Sequence, residues 1–415
     1  MTSTMQTASI PRASRIAFAL LAAVLLIAPL VFTSSLAISV LSQIGCAIIL
    51  CLSYNLLFGQ GGMLSFGHAV YSGMGAFAAV HAIQWASRGA LPVQIPLVLM
   101  PLIGGVAGML VAAVLGFLCT RRAGTTFAMI TLGIGELVAA VALMFPEVFG
   151  GEGGIAINRV YGAPLLGLTF GPAIQVYWLI AAYCLLCTLA IYMFTQTPLG
   201  RMLNAVRDNP VRAEFVGYNP QRVRHLAFIA SGFFAGIGGA LTAIHLEIVT
   251  GADSLGMARS AAYLLFTFLG GAGFFFGPVI GAVLMVLSTV LLSHLTKAWL
   301  LYLGLAFMLM VMFAPGGVAG MISALLRMWR SGILRRKWGL VMSLSFCGLL
   351  AIYGAAGLIE MIYHAQLDGD IDSTLRYLGC TLNVQSVVDW FVMFLPLLAG
   401  GVTGKFVLDM EKKRP

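Results

Sequence analysis

The sequence predicts an all-α polytopic membrane protein with about 10–12 transmembrane segments, of which the central ones are broken or re-entrant. Composition is the first indication, because 60% of the 415 residues are hydrophobic and only 9% are charged, whereas a soluble protein carries about 25% charged residues. A series of long apolar runs is the second, and the 49 glycines, many of them clustered, are the third. The net charge of +9 is then expected in loops at a membrane surface, and nucleic acid is not an expected partner.

The chain begins with a Ser/Thr-rich stretch, residues 1–15, which we expect to be a cytoplasmic tail. The apolar runs follow at 16–31, 36–58, 67–86, 95–118, 125–145, 173–194, 225–248, 261–273, 277–295, 298–313, 340–362 and 386–408. Runs 261–273 and 298–313 fall short of the roughly 20 residues that a full span needs. The sequence leaves open whether 261–273 and 277–295 span the membrane or form a re-entrant hairpin.

The distribution of basic residues predicts the orientation. If the N-terminus is placed in the cytoplasm and the segments alternate, 18 of the 23 Lys and Arg residues fall in inner segments, as the positive-inside rule requires. The outer segments receive Arg88, Arg159, Arg259, Lys297 and Arg376. We therefore expect both termini to be cytoplasmic.

The longest polar island before residue 320 is the 197–224 loop, with five arginines and two acidic residues. Its Thr-Pro pair at 197–198 and its Asn-Pro pair at 209–210 each combine a helix N-cap with proline at the first helical position. Gly217 is a natural stop for the second helix. The loop is therefore predicted to form two short amphipathic helices outside the membrane, which favours a docking surface over a solvated linker.

The loop offers two apolar sets to a partner, and the sequence does not choose between them. One set follows helical spacing of i, i+3, i+4 and i+7 in the first helix, and the other lies in the second. The sets are Leu199, Met202, Leu203 and Val206, and Val211 with Phe215.

Two glycine clusters indicate breaks in the helices. GQGG at 59–62 is followed by Gly67, and GGAG at 270–273 is followed by Gly277. Because one break lies in each half of the chain, they favour an internal repeat around a central pathway; close helix packing through small residues is the other interpretation. We assign to the pathway Gly61, Gly62, Ser65, His68, Glu136, Gly270, Gly271, Gly277 and Pro278.

Few ionisable residues lie inside the apolar runs of 16–322. They are His68, His81, Glu136, His245 and Glu247. A charge at membrane depth is costly and is a functional hypothesis, but a lone His or Glu also serves at helix ends or in interhelical hydrogen bonds. Glu136 is equally consistent with both roles, and His81 is interpreted as packing.

The sequence lacks the motifs of a catalytic site. HExxH, GxSxG, metal-spaced clusters and the GxxxxGK[ST] phosphate loop do not occur, so we expect neither an enzyme nor a bound cofactor or metal. If the protein uses ATP, another chain binds it. Cys184 and Cys187 have the spacing of a redox or zinc motif, but they lie in an apolar helix without partner ligands and are interpreted as packing.

Six stretches, in register over residues 16–322, together resemble the branched-chain amino acid ABC importer permeases of the LivM type. They are NLLFGQGGMLSFGHA (55–69) with GMGAF (73–77), RAGTTFAMITLGIGE (122–136), FGGEGGI (149–155), the 200–217 stretch with AVRDNP and AEFVG, LGGAGFFFGPVIGA (269–282) and FAPGGVAG (313–320). The resemblance implies a permease core at 16–322 in a bacterial inner membrane.

The resemblance also implies partners. These are a second homologous permease, two cytoplasmic ATP-binding subunits that hold ATP and Mg²⁺, and a periplasmic or lipid-anchored solute-binding protein, with membrane lipid around the helices. The residues it places in coupling to the ATPase are Leu199, Arg201, Met202, Leu203, Val206, Arg207, Asp208, Asn209, Glu214, Phe215 and Gly217. The loop would pass the closure of the ATPase pair to the membrane helices, which then alternate access.

The resemblance does not cover residues 323–415. This extension contains a basic stretch, two predicted transmembrane helices and an Asp-rich outer loop, and it is interpreted as a lipid-facing appendage or a subunit contact, or else as a regulatory module. The sequence does not identify the solute, and urea, amides or aromatic acids are alternatives to amino acids. An ion-coupled secondary transporter, with Glu136, His245 and Glu247 as coupling groups, is the alternative of another class.

Overall fold

The structure, a computed structural model, describes residues 12–89, 95–161, 169–332, 338–367, 374–377, 380–383 and 385–412. It is almost entirely α-helical, as the composition predicts. Residues 1–11 of the predicted tail, most of the basic stretch after residue 332 and most of the Asp-rich loop lie outside the described residues, whereas residues 12–15, also predicted as tail, form the start of the first helix.

The first half of the chain forms ten helices and one short strand. They are α1 (Arg12–Val31), α2 (Ser35–Asn55, continued by a π-turn at Leu56–Gln60), α3 (His68–Ser87), α4 (Met100–Cys119, preceded by a 3₁₀ turn at Leu97–Leu99), α5 (Thr125–Met144), α6 (Pro146–Phe149), β1 (Ile155–Ala156), α7 (Ala173–Gln196), α8 (Pro198–Asp208), α9 (Pro210–Phe215) and α10 (Pro220–Leu246).

The second half contains the remaining helices and three strands. They are β2 (Ile248–Val249), α11 (Gly251–Leu255), α12 (Met257–Gly270), α13 (Gly277–Leu287, followed by a π-turn at Ser288–Leu292), α14 (Ser293–Leu295), α15 (Trp299–Phe313), α16 (Gly317–Arg330), α17 (Trp338–Leu367), β3 (Thr374–Tyr377), β4 (Cys380–Asn383) and α18 (Val387–Lys412). Strands β1 and β2 pair antiparallel, as do β3 and β4.

Every predicted apolar run contains a helix, but fewer helices than the expected ten to twelve qualify as membrane spans. Within the described residues eight helices are long and apolar enough, and nine if the bent pair α15–α16 is one span. Helix α3 is 20 residues long and falls outside this set because two histidines and Gln84 lower its hydropathy. It is mostly buried all the same.

The chain divides into two compact units. The first comprises the described part of residues 1–287 together with 313–320. At its centre α10 packs against α4, α3 and α2, and small residues on these helices allow the close approach that drives helix association in a membrane. Cys184 and Cys187 are buried in α7 as unpaired thiols, which confirms the packing interpretation.

The second unit comprises 288–312 and the described part of 321–415. Helices α17 and α18 pack against each other at the positions of the two transmembrane helices predicted for the extension. Glu360 of α17 accepts hydrogen bonds from Thr296 Oγ1 and, at 3.0 Å, from Tyr302 Oη. Within this unit, therefore, the extension is joined to residues 288–312 through a carboxylate as well as through apolar packing.

Candidate functional site

The 197–224 loop folds into α8 and α9 with the predicted caps. Thr197 Oγ1 accepts a hydrogen bond from the Gly200 amide at 3.2 Å, and Asn209 Oδ1 accepts one from the Arg212 amide at 2.9 Å. A proline follows each cap at the first helical position. Gly217 takes a φ of +92° after α9, a conformation that suits glycine, so the predicted stop is confirmed.

A third cap of the same kind begins α10, and the sequence reasoning missed it. Asn219 Oδ1 accepts a hydrogen bond from the Arg222 amide at 3.1 Å, and Pro220 is the first helical residue. The second Asn-Pro pair was the available signal. Arg222 and Arg224 consequently belong to the first turns of α10 and not to a free loop.

The first apolar set of the loop faces the protein's own interior. Leu203 and Val206 are 0% and 1% exposed, and Leu199 and Met202 pack against the same core cluster, which includes Phe228. Side chains enclosed in this way cannot also insert into a groove of a partner. Of the two predicted docking sets, this one fastens α8 to its own chain.

The second apolar set faces outward. Phe215 is 88% exposed, Val216 70% and Val211 58%. Arg201, Arg207, Asp208, Asn209, Arg212 and Glu214 are also exposed. An apolar patch with a polar rim is typical of a protein interaction site.

Arg207 connects α8 to the first glycine break. Its Nη1 donates to the Gly59 carbonyl at 2.5 Å, and its Nε donates to the Asp208 carboxylate at 3.0 Å. Gly62 has a φ of +64°, and a Cβ at this position would lie 2.7 Å from Arg207 Cγ. The glycine-rich end of α2 is therefore shaped to receive the side chain of Arg207.

The two glycine breaks touch each other, although about 200 residues separate them in sequence. A Cβ on Gly59 would lie 2.3 Å from the Ala272 carbonyl oxygen, and one on Gly270 would lie 2.2 Å from that of Gly277. Gly270 and Gly271 end α12, and Gly277 with Pro278 begins α13. With 14 residues, α12 measures only about 21 Å, less than the roughly 30 Å of a bilayer core.

A buried polar cluster lies next to the breaks, where α2, α3 and α12 meet. His68, the first residue of α3, is fully buried, and its Nε2 lies 2.9 Å from Ser53 Oγ. Tyr54 Oη donates to the Ser65 carbonyl at 3.0 Å. His68 Nδ1, Ser65 Oγ and Asn55 Oδ1 have no hydrogen-bond partner among the described residues. These three buried polar atoms are therefore available to hydrogen-bond a solute or water inside the bundle.

The structure does not bring Glu136 to this cluster. Glu136 is exposed on α5, on the same side as Met129, which is 69% exposed, and Gly133, which has open space where a Cβ would point. Of the nine residues predicted for the pathway, Gly61 and Gly62 lie at the first break, Gly270, Gly271, Gly277 and Pro278 at the second, and Ser65 and His68 in the buried cluster, while Glu136 lies apart on an outer face.

The other ionisable residues of the apolar runs have local partners. His245 Nε2 lies 3.2 Å from Ser39 Oγ, and His81 Nε2 lies 2.7 Å from the Val148 carbonyl. Glu247 ends α10 with a φ of +58°, accepts a hydrogen bond from the Arg159 amide at 3.2 Å and lies 3.7 Å from Arg159 Nε. Within the described residues, no group of three or more His, Cys, Asp or Glu side chains is placed to hold a metal ion.

The chain is similar to known proteins of one transport family. Residues 36–329 match the family model described as "Branched-chain amino acid transport system / permease component". The chain is 29% identical over 301 residues to the high-affinity branched-chain amino acid transport system permease protein LivM of Escherichia coli K12, and 30% identical over 300 residues to LivM of Salmonella typhimurium LT2. Each alignment covers 66% of this chain and 68% of the relative.

No solved structure matches the chain. The family match covers most of the described helices, and the apolar helices agree with a multi-pass protein of the bacterial inner membrane. The chain belongs to the permease family of branched-chain amino acid transport systems.

Proposed function

We propose that this chain is the transmembrane permease subunit of an ATP-binding-cassette importer for branched-chain or other amino acids. The observation that carries the proposal, beside the family, is the two-sided 197–224 loop. Leu203 and Val206 fasten it to the membrane helices, while Phe215 stands 88% exposed. Such a loop passes force from a partner bound outside the membrane to the helices inside it.

The partner on this loop is an ATP-binding subunit, and a complete importer contains two of them. ATP and Mg²⁺ are bound there, and this chain holds no cofactor. A shallow groove of the ATPase would receive Phe215 and Val211, and the surrounding arginines would pair with acidic residues at its rim.

A second, homologous permease completes the membrane part of the importer. Support comes from α5, where Glu136 is exposed on a helix that is apolar enough to cross the membrane. Facing lipid, a carboxylate in such a helix costs on the order of 3 kcal/mol. A partner helix that covers Glu136 and offers a hydrogen-bond donor removes this cost.

Solute would pass near the two glycine breaks, whose backbone groups and neighbouring polar side chains provide hydrogen bonds in place of water. A periplasmic or lipid-anchored binding protein would deliver the solute to the opposite side of the membrane from the 197–224 loop. An importer of urea, amides or aromatic acids remains the alternative within transport. The ion-coupled alternative has less support, because the structure ties His245 and Glu247 to local partners.

Reconstitution tests the proposal. The chain is co-expressed with the permease, ATPase and binding protein encoded beside it, and the purified complex is placed in proteoliposomes. We expect ATP-dependent uptake of leucine, isoleucine or valine that stops when the binding protein is left out. Uptake by this chain alone, without ATP or an ATPase, would contradict the proposal.

A further inference from the structure

A small cavity lies at the end of α10 opposite the 197–224 loop. Helix α10 begins directly after this loop and has 27 residues, so its two ends are about 40 Å apart. The cavity is bounded by α3, α10, strand β2, α11 and α12, all of which belong to the first unit. It therefore opens on the face to which the importer of the preceding section would receive its solute.

The rim of the cavity carries one charge of each sign. Arg259 Nη2 donates to Asp253 Oδ2 at 2.6 Å, and Arg259 Nε donates to the Asp253 carbonyl at 3.2 Å. A guanidinium has five N–H groups, and these bonds use two, so three stay unused among the described residues. The Asp253 side chain is 68% exposed and that of Arg259 28% exposed, which leaves both charged groups accessible from the cavity.

The walls of the cavity are mostly apolar. Ala76, Ala243 and Val249 are buried residues of the lining, and Leu246, which also lines the cavity, is 45% exposed. The cavity encloses about 80 Å³, several times the roughly 10–15 Å³ that one water molecule requires. This volume suits the head group of an amino acid whose aliphatic side chain packs against the partly exposed Leu246.

The segment that carries Asp253 is held in place. Thr250 Oγ1 caps α11 by accepting from the Asp253 amide at 3.4 Å, and β2 pairs with β1 just before it. Leu255 is buried so tightly against α3 that a Cβ on Gly73 would lie 2.5 Å from Leu255 Cδ2. Because these contacts fix the backbone before any ligand arrives, little ordering free energy is lost on binding.

We propose that Arg259 and Asp253 form a receiving site for the zwitterionic head group of an α-amino acid. The unused guanidinium N–H groups of Arg259 bind the carboxylate as a planar fork, and the Asp253 carboxylate accepts from the ammonium. A ligand that has only the carboxylate or only the ammonium pairs with one of these two residues and leaves the other without a partner. The site rests on the proposed function, since it supposes that amino acids reach this face, and it adds a specificity determinant in the permease itself.

The test measures binding to the permease–ATPase complex in nanodiscs without the binding protein, by saturation-transfer NMR. The probes are L-leucine, L-leucinamide, which lacks the carboxylate, and 4-methylpentanoate, which lacks the ammonium. We expect wild-type protein to bind leucine about 10- to 100-fold more tightly than either analogue, as the loss of a hydrogen bond to a charged group predicts.

Removing either charged group should abolish the preference for leucine over one analogue and keep the preference over the other. Arg259→Gln should bind leucine and leucinamide alike, and Asp253→Asn should bind leucine and 4-methylpentanoate alike. Arg259→Lys, which keeps the charge and loses the fork, should fall between wild type and Arg259→Gln. Arg88→Gln is the matched control, because Arg88 is an exposed arginine at the end of α3 outside this cavity, and it should leave all three affinities unchanged.

Other outcomes overturn the site. If the Arg259 and Asp253 variants weaken all three probes equally, or leave selectivity unchanged, the ion pair is structural. Uptake by the complete wild-type importer is measured in parallel. If the wild-type importer takes up leucine and the variants keep its selectivity among the three probes, the site is rejected and the proposed function stands. If the wild-type importer takes up no zwitterionic amino acid, the proposed function is rejected together with the site.

Discussion

Helices α8 and α9 start with the same chemistry and end in opposite surroundings. Both begin with a capping side chain and proline at the first helical position, and both carry arginine in their last turn. Yet Leu203 of α8 is fully buried and Phe215 of α9 is 88% exposed. The difference indicates that the two helices have different roles: α8 packs into the permease core, and α9 is exposed for a partner to bind.

The largest effect is expected from Leu203→Ala, which tests whether α8 is held by its apolar face. Truncating a fully buried leucine removes transfer free energy and leaves a cavity, at a cost of about 2–5 kcal/mol. Most arginine side chains of the loop are already exposed, but trypsin cleaves only unfolded backbone, so local unfolding of α8 should make the peptide bonds after these arginines cleavable. The rate of limited tryptic cleavage in the purified permease, without the ATPase, measures this, and Phe215→Ala, at a position that is 88% exposed in the permease, should leave the rate at the wild-type value. Equal rates in all three proteins would show that α8 is not fastened by Leu203.

Phe215→Asp is expected to act on association and not on stability. An aromatic residue at the centre of an interface contributes 2 kcal/mol or more, so a charged replacement should weaken ATPase binding by about 30-fold or more. Co-purification with the ATPase measures the loss, and the melting temperature of the permease should stay unchanged. The matched control is Val160→Asp, since Val160 is a 47% exposed apolar residue far along the chain from the loop. Retention of the ATPase by Phe215→Asp would contradict the assignment of α9 to the partner.

Asn209→Ala is expected to have a smaller effect, confined to α9. Removing the side-chain acceptor of an N-cap costs about 1 kcal/mol, here the bond from the Arg212 amide. Helix α9 should fray and present Phe215 less well, so ATPase affinity should fall severalfold. Asn209→Asp, which keeps an acceptor oxygen, is the control and should bind like wild type. An affinity loss of the same size in both variants would show that the cap does not position α9.

The caps could be read from the sequence, but the surroundings of each helix could not. Residue type and spacing identify Thr197 and Asn209, because capping is a local interaction. Apolar spacing shows that α8 has an apolar face without showing what covers it. The choice between Leu203 and Phe215 as partner anchors depends on Leu57 and Phe228, which pack there from elsewhere in the chain.

The same limit applies inside the membrane. The echo of GQGG and GGAG indicated two breaks, and only the fold shows that Gly59 and Ala272 touch. A charge in an apolar run predicts a place in the pathway for Glu136, but the rotation of α5 about its axis decides which way the side chain faces, and here it is exposed. The charge distribution places Arg259 in an outer segment, but nothing in the spacing of Asp253 and Arg259 reveals the cavity beside them.

The smallest effect is expected from Asp208→Asn, and its comparison with Arg207→Gln separates the two contacts of Arg207. The Arg207–Asp208 pair has exposed side chains, 39% and 67%, and such pairs contribute about 0–1 kcal/mol. The bond from Arg207 to the Gly59 carbonyl instead joins α8 to the end of α2. If this bond carries motion from the ATPase to the glycine break, Arg207→Gln should lower the ratio of leucine transported to ATP hydrolysed, while Asp208→Asn should keep the wild-type ratio. Both quantities are measured in the same proteoliposomes, and an equal fall in both variants would place the effect in the surface charge of the loop and not in the contact with Gly59.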